Sequence, residues 1–235
     1  MSSESRRSKI HNQKSKTPKI IVLIGAPGAG KGTQARLIQE RLRLPQISTG
    51  DMFRALAHSD SPLAREVREL QDEGKLIPDD LVIRIVAERT SLPDCEAGYV
   101  LDGFPRTPAQ AATLEGLASE QGKKIVAIFV DVPFELLKKR AVGRRQCPIC
   151  HEIYNIYFLP PAFDEVCDRH PGVKLEQRAD DTSEKVGVRL KTYEEQTRPL
   201  LSYYQDSHRL TRVDGTQTPE AIYAQVEKII IAYGE

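Results

Sequence analysis

Several things are scarce in this chain of 235 residues. No apolar run approaches the roughly 18–20 residues that a membrane-spanning helix needs. The longest, Ile20–Pro27 and Ile125–Val132, read instead as buried strands. An excess of one charge is also missing: Lys+Arg is 34 against Asp+Glu 33, a formal net charge of +1. That balance excludes a dedicated DNA-coating protein, which would be strongly basic. Neither a nucleic acid nor a membrane is therefore an expected partner. Cysteine numbers only 4, too few for a disulfide scaffold at this size, and free thiols point to a reducing cytoplasm. No internal repeat is visible. With 40% apolar and 29% charged residues the composition is that of a globular chain. The length suits one domain carrying small insertions.

Residues 1–18 stand apart. Arg6, Arg7, Lys9, Lys14 and Lys16 face a single Glu4, and Ile10 is nearly the only large apolar residue. No apolar stretch follows, which argues against a secretory signal, and no amphipathic helix supports a mitochondrial presequence. The expectation is a disordered basic tail, with weak polyanion binding as the alternative.

From Lys19 onward, apolar β-branched runs alternate with helical periodicity. Strands are expected at 20–24, 46–49, 99–101, 124–132 and 210–213. Helices are expected at 33–43, from Ser61-Pro62 to Gly74, from Pro78-Asp79, at 109–118, 133–141 and from Thr218-Pro219. This alternation predicts an α/β fold with a parallel sheet. Residues 143–181 break the rhythm and read as a small insertion.

Gly25-Ala26-Pro27-Gly28-Ala29-Gly30-Lys31-Gly32-Thr33 lies between a predicted strand and a predicted helix. Glycines let main-chain N–H groups turn inward, and the helix N-terminus adds partial positive charge, so the segment forms an anion cradle. Lys31 would reach β- and γ-phosphates, and Thr33 offers a hydroxyl to Mg²⁺ or phosphate. The strict G-x-x-x-x-G-K-[ST] spacing is not met, because Gly32 intervenes. A plain glycine-rich turn with an incidental lysine is the competing reading. Arg54 and Arg106 follow predicted strand ends, where open α/β sheets bind ligands. Arg144, Arg178 and Arg189 bracket or follow the insertion. The planar guanidinium suits phosphate recognition, although each one alone could be a solvated surface residue.

Cys147-x-x-Cys150 and Cys167-x-x-His170, separated by sixteen residues, have the spacing of two zinc knuckles. Three thiolates and one imidazole would close the coordination shell, so the role would be structural. Asp168 and His151 are rival fourth ligands, and a Cys147–Cys150 disulfide is the redox alternative. Cys95 reads as a small structural residue.

Together these motifs resemble the adenylate kinase family. The phosphate loop carries that family's extra glycine. Ser48–Arg54, then Leu101–Thr107 with Gln110, Gly143-Arg144-Arg145, Gln177–Asp181 and Arg189 follow in the family's order from about Lys19 to the C-terminus. The resemblance implies a five-stranded parallel P-loop core sheet with helices on both faces, an inserted nucleoside-monophosphate-binding (NMP-binding) arm, and a zinc-binding lid like that of many bacterial members. Its segments would be core 19–47, arm 48–77, core 78–142, lid 143–181 and core 182–235. It implies phosphoryl transfer from MgATP to AMP, giving ADP.

By this resemblance, Lys31, Arg106, Arg144, Arg178, Arg189 and Asp102 serve catalysis. Gly28, Ala29, Gly30, Lys31, Gly32, Thr33, Arg140, Arg144, Ile153, Tyr154 and Gln217 bind ATP, with Arg140 stacked on adenine. Thr49, Arg54, Lys75, Leu76, Ile77, Gly103, Phe104, Pro105, Arg106, Gln110, Arg178 and Arg189 bind AMP. Asp102 would anchor Mg²⁺-bound waters, or merely cap a turn. Gly143 and Asp180-Asp181 are candidate hinges. A monomer is expected, since no surplus apolar face stands out. A kinase for another nucleoside monophosphate, or a P-loop ATPase switch with a zinc interaction module, are the alternatives.

Overall fold

Lys19–Ile24 forms β1, the middle strand of a five-stranded sheet. The computed structural model describes residues 18–57, 62–73 and 76–233; the tail, Ser61 and Gly74 lie outside them. After β1 come α1 (Lys31–Leu42), β2 (Gln46–Ser48), α2 (Thr49–Ala57), α3 (Pro62–Asp72) and α4 (Asp79–Thr90). Next are β3 (Gly98–Asp102), α5 (Pro108–Glu120), β4 (Lys124–Asp131) and α6 (Phe134–Val142). The insertion holds β5 (Arg144–Gln146) and β6 (Ile153–Asn155). The chain ends with α7 (Ser183–Thr192), α8 (Leu200–Asp206), β7 (Leu210–Asp214) and α9 (Pro219–Ala232).

The sheet order is β2-β3-β1-β4-β7, and every pairing in it is parallel. Each β1 residue is buried, as a strand covered on both faces requires. Successive side chains alternate between two apolar layers. Ile20, Val22 and Ile24 join Leu101, Leu114, Val86 and Tyr204. Ile21 and Leu23 join Ile38, Leu137, Leu190 and Val226 on the other face. Helices thus cover both faces, and the parallel strands all deliver their carboxyl ends to one edge. Local signals set the helix starts: Thr107 and Thr218 each accept a main-chain N–H from their own helix, with proline next in the chain.

The insertion is built differently. β5 and β6 pair antiparallel, with Arg144 opposite Asn155. Its buried apolar cluster is only Cys147, Tyr154, Cys167 and Leu175. Gly143 sits there for space: a Cβ would lie 2.5 Å from the Tyr157 ring. Among the described residues, no helix is long and apolar enough to cross a membrane.

Two differences from the sequence expectations have physical causes. The strand expected at 46–49 stops at Ser48, whose hydroxyl accepts from the Asp51 N–H and turns Thr49 into α2. Helices α7 and α8 are not among the sequence expectations. Their buried stripe, Val186, Leu190, Tyr193, Leu200 and Tyr204, is sparse and is interrupted by Thr197 and Pro199.

Candidate active site

The loop from β1 to α1 has the shape its glycines permit. Gly28 and Gly30 adopt φ of 87° and 96°, a left-handed region that favours glycine. At Gly28 space is limiting as well, since a Cβ would lie 2.5 Å from the Leu137 carbonyl oxygen. Lys31 Nζ donates to the carbonyls of Gly25 at 2.7 Å and Ala26 at 3.2 Å. Gly32, the residue that breaks the strict motif, faces the end of β3: a Cβ there would be 3.3 Å from Asp102 Oδ2.

A cavity of about 610 Å³ opens at the carboxyl edge of the sheet. Its lining includes Gly28, Ala29, Gly30, Lys31, Gly32, Thr33, Arg54, Leu76, Asp102, Gly103, Pro105, Arg106, Arg140, Arg144, Ile153, Tyr154, Arg178, Arg189 and Gln217. A smaller cavity of about 90 Å³ adjoins it, lined by Thr49, Ile77 and Gln110 and sharing Arg54, Arg106 and Arg189. Phe104 lines neither cavity; its side chain is 2% exposed and packs in the core layer. Lys75 lies outside the described residues. Tyr154 touches the cavity, but its hydroxyl serves the insertion, bonding to the Asp168 N–H.

The large cavity gathers eight cationic residues, Lys31, Arg36, Arg54, Arg106, Arg140, Arg144, Arg178 and Arg189. Burial pulls Lys31 down to about 8; Asp102 opposes that, while Arg106, Arg189 and Arg144 reinforce it. Burial likewise lowers Arg106 and Arg178 to about 10, with neighbouring arginines adding to the effect. Cations pressed together this way complement a polyanion.

Asp181 keeps part of the cluster in place. It is fully buried, accepts two bonds from Arg144 at 2.7 and 2.5 Å, and accepts a third from Arg189 at 3.1 Å. Arg178 is steadied by Gln146 Oε1 at 2.9 Å. Arg140 donates to the Gly215 carbonyl at 2.6 Å and lies over the Phe158 ring. Glu152 of the insertion pairs with Arg36 of α1 and lies 3.2 Å from Arg169 Nε. The sequence reading missed Arg36, Glu152 and Gln146, and treated Asp181 as a hinge. No local pattern signals these roles, because the partners of Asp181 lie 37 and 8 positions away.

In the insertion, the ligand atoms of Cys147, Cys150, Cys167 and His170 all lie within 4.8 Å of one another. Cys150 and Cys167 sulfurs are 3.8 Å apart, and His170 Nδ1 is 3.8 and 3.7 Å from Cys147 and Cys167. A tetrahedral zinc with bonds of about 2.3 Å needs edges of about 3.8 Å, so this group fits one. All three cysteines are free thiols, which removes the Cys147–Cys150 disulfide. Asp168 instead accepts from the Ala162 N–H, and neither it nor His151 belongs to the group.

Fold and site together define a P-loop protein of the phosphate-binding α/β class. A family model described as adenylate kinase matches residues 23–209. Adenylate kinase from Gloeobacter violaceus is 44% identical over 214 residues, 89% of this chain and 97% of that protein. Adenylate kinase from Bacillus subtilis is 45% identical over 211 residues, with 89% and 97% covered. The one from Archaeoglobus fulgidus is 44% identical, also with 89% and 97% covered. The chain belongs to the adenylate kinase family.

Replacing Asp181 tests how the cluster is held. Asp181→Asn leaves two guanidinium groups without their shared buried partner, a loss of about 3 kcal/mol or more. Denaturant unfolding should show that loss, and an unchanged midpoint would remove Asp181 from this role.

Proposed function

We propose that this protein is a Mg²⁺-dependent ATP:AMP phosphotransferase that interconverts ATP plus AMP with two ADP. The carrying observation is that the phosphate loop and the arginines from four other segments converge on one cavity. The acceptor phosphate is already anionic, so transfer needs in-line positioning and charge neutralisation rather than a general base. Lys31 and the loop N–H groups take the donor polyphosphate. Arg54 and Arg106 hold the acceptor phosphate, and Arg144, Arg178 and Arg189 meet the transferred group. Arg140 stacks on the donor base, and Thr49 and Gln110 face the acceptor base. Mg²⁺ accompanies ATP, neutralising its charge, with Thr33 and Asp102 as the residues near it.

Residues 48–77 act as the acceptor arm and 143–181 as a lid that excludes water. Cys147, Cys150, Cys167 and His170 hold a structural Zn²⁺ there, supplying folding energy to a segment with little apolar core. The reading is of a cytoplasmic monomer, since one chain supplies both phosphate subsites.

ADP should form from ATP only when AMP is added, and Lys31→Met should slow that turnover by about 100-fold or more. AMP-independent phosphate release would favour an ATPase switch instead. Phosphate binding favours charged Lys31, which titrates near 8 in the free protein. ATP affinity should therefore be full well below pH 8 and fall above it by at most about tenfold per pH unit, until the higher value that Lys31 has beside bound phosphate is passed. Calorimetry in buffers of different ionisation enthalpy should record proton uptake there, and Lys31→Met should abolish it. Chelation should lower the thermal midpoint and unfold the lid while the sheet persists. Protein that carries no stoichiometric zinc and ignores chelators would refute the metal assignment.

A further inference from the structure

Gln110 stands in the first turn of α5, 2% exposed and lining the smaller cavity. Its Oε1 accepts the Arg106 N–H at 2.7 Å, and its Nε2 donates to Asp79 Oδ1 at 2.5 Å. Turning the amide over would set donor against donor at the Arg106 N–H and acceptor against acceptor at Asp79, because a main-chain N–H only donates and a carboxylate only accepts. Asp79 is tied back as well. The Thr107 hydroxyl lies 3.4 Å from Asp79 Oδ2 and accepts the Gln110 N–H at 3.1 Å. Asp79, Thr107 and Gln110 thus close a small ring of hydrogen bonds across the start of two helices. Helix initiation, the role read for Asp79 from sequence, requires none of this.

We propose that Asp79 is a positioning residue for acceptor choice: it locks the Gln110 amide in one orientation, so that the smaller cavity selects a 6-aminopurine nucleoside monophosphate over its 6-oxopurine counterpart. This rests on the reading that Gln110 faces the acceptor base. A 6-aminopurine offers a donor at position 6 and an acceptor at ring nitrogen 1. A 6-oxopurine offers the reverse. The locked amide has one Nε2 hydrogen and one Oε1 lone pair left, in a fixed spatial order. It therefore matches only one of these edges, whereas an amide free to turn over would match both.

Asp79→Asn tests this directly, because an asparagine can meet either orientation of Gln110, so that turning the amide over then costs one mismatched contact, at the Arg106 N–H, instead of two. The ratio of kcat/KM for AMP to that for IMP should fall by about tenfold or more. KM for ATP and the thermal midpoint should stay near the parent values. Asp79→Glu, which keeps an acceptor-only group, should recover at least part of the ratio. The proposal is overturned if Asp79→Asn keeps the parent ratio, if KM for ATP rises in step with KM for AMP, or if the Glu variant is as permissive as the Asn variant. Gln110→Ala separates the two levels. If it lowers the ratio while Asp79→Asn does not, Gln110 still reads the base and the orientation lock is wrong. If neither variant changes the ratio, the placement of Gln110 against the base fails, and the lock fails with it.

Discussion

Positive charge crowded into a half-buried cavity is the constraint on which the rest of this structure depends. Eight cationic residues line a space at the sheet edge, and burying a cation is costly. The fold meets that cost with oppositely charged or dipolar groups. Lys31 rests on two loop carbonyls, Arg106 Nε on the Gly103 carbonyl at 2.8 Å, and Arg144 and Arg189 on Asp181. The compensation is partial, since Lys31, Arg106 and Arg178 all remain below their ordinary values. Bound polyphosphate would supply the missing negative charge, so ligand binding and the stability of this edge are linked.

The insertion faces a different constraint. It is small, and it brings Arg144 and Arg178 to the cavity. A small segment cannot bury enough apolar area to fold alone. Its buried apolar cluster is only Cys147, Tyr154, Cys167 and Leu175, and beside it lie four close ligand atoms whose spacing fits a metal ion. Tyr154 ties the two requirements together: its ring belongs to that cluster and lines the cavity, while its hydroxyl holds the knuckle at Asp168. The pairing of Glu152 with Arg36 then joins the insertion to α1.

What was legible in the sequence was local. The phosphate loop, the Thr218-Pro219 helix start and the paired cysteine knuckles each lie within a few residues, so spacing alone conveys their geometry. The central strands were legible because burial on both faces leaves nearly continuous apolar runs. Features depending on distant partners were not legible. Asp181 looks like a hinge until Arg144 and Arg189 are placed around it. Arg36 and Glu152, separated by 116 positions, carry no shared pattern. Phe104 shows the converse limit: it stands within a motif whose neighbours line the cavity, yet its own side chain turns into the core. Motif membership does not specify which way a side chain points.

A cluster of cations treats the phosphates of every nucleotide alike, because guanidinium and ammonium groups see charge and not the base. Discrimination must therefore come from uncharged groups at the rim. There the structure places Thr49 and Gln110, both nearly inaccessible to water at 2% exposure. Burial makes an unmatched hydrogen bond expensive, so two neutral residues can reject what the cations would accept. That power depends on a fixed direction for each donor and acceptor. Thr49 donates to the Gly103 carbonyl at 2.9 Å, and Gln110 is pinned at both ends. The hydrogen bonds to the Gly103 carbonyl, the Arg106 N–H and Asp79 fix those directions.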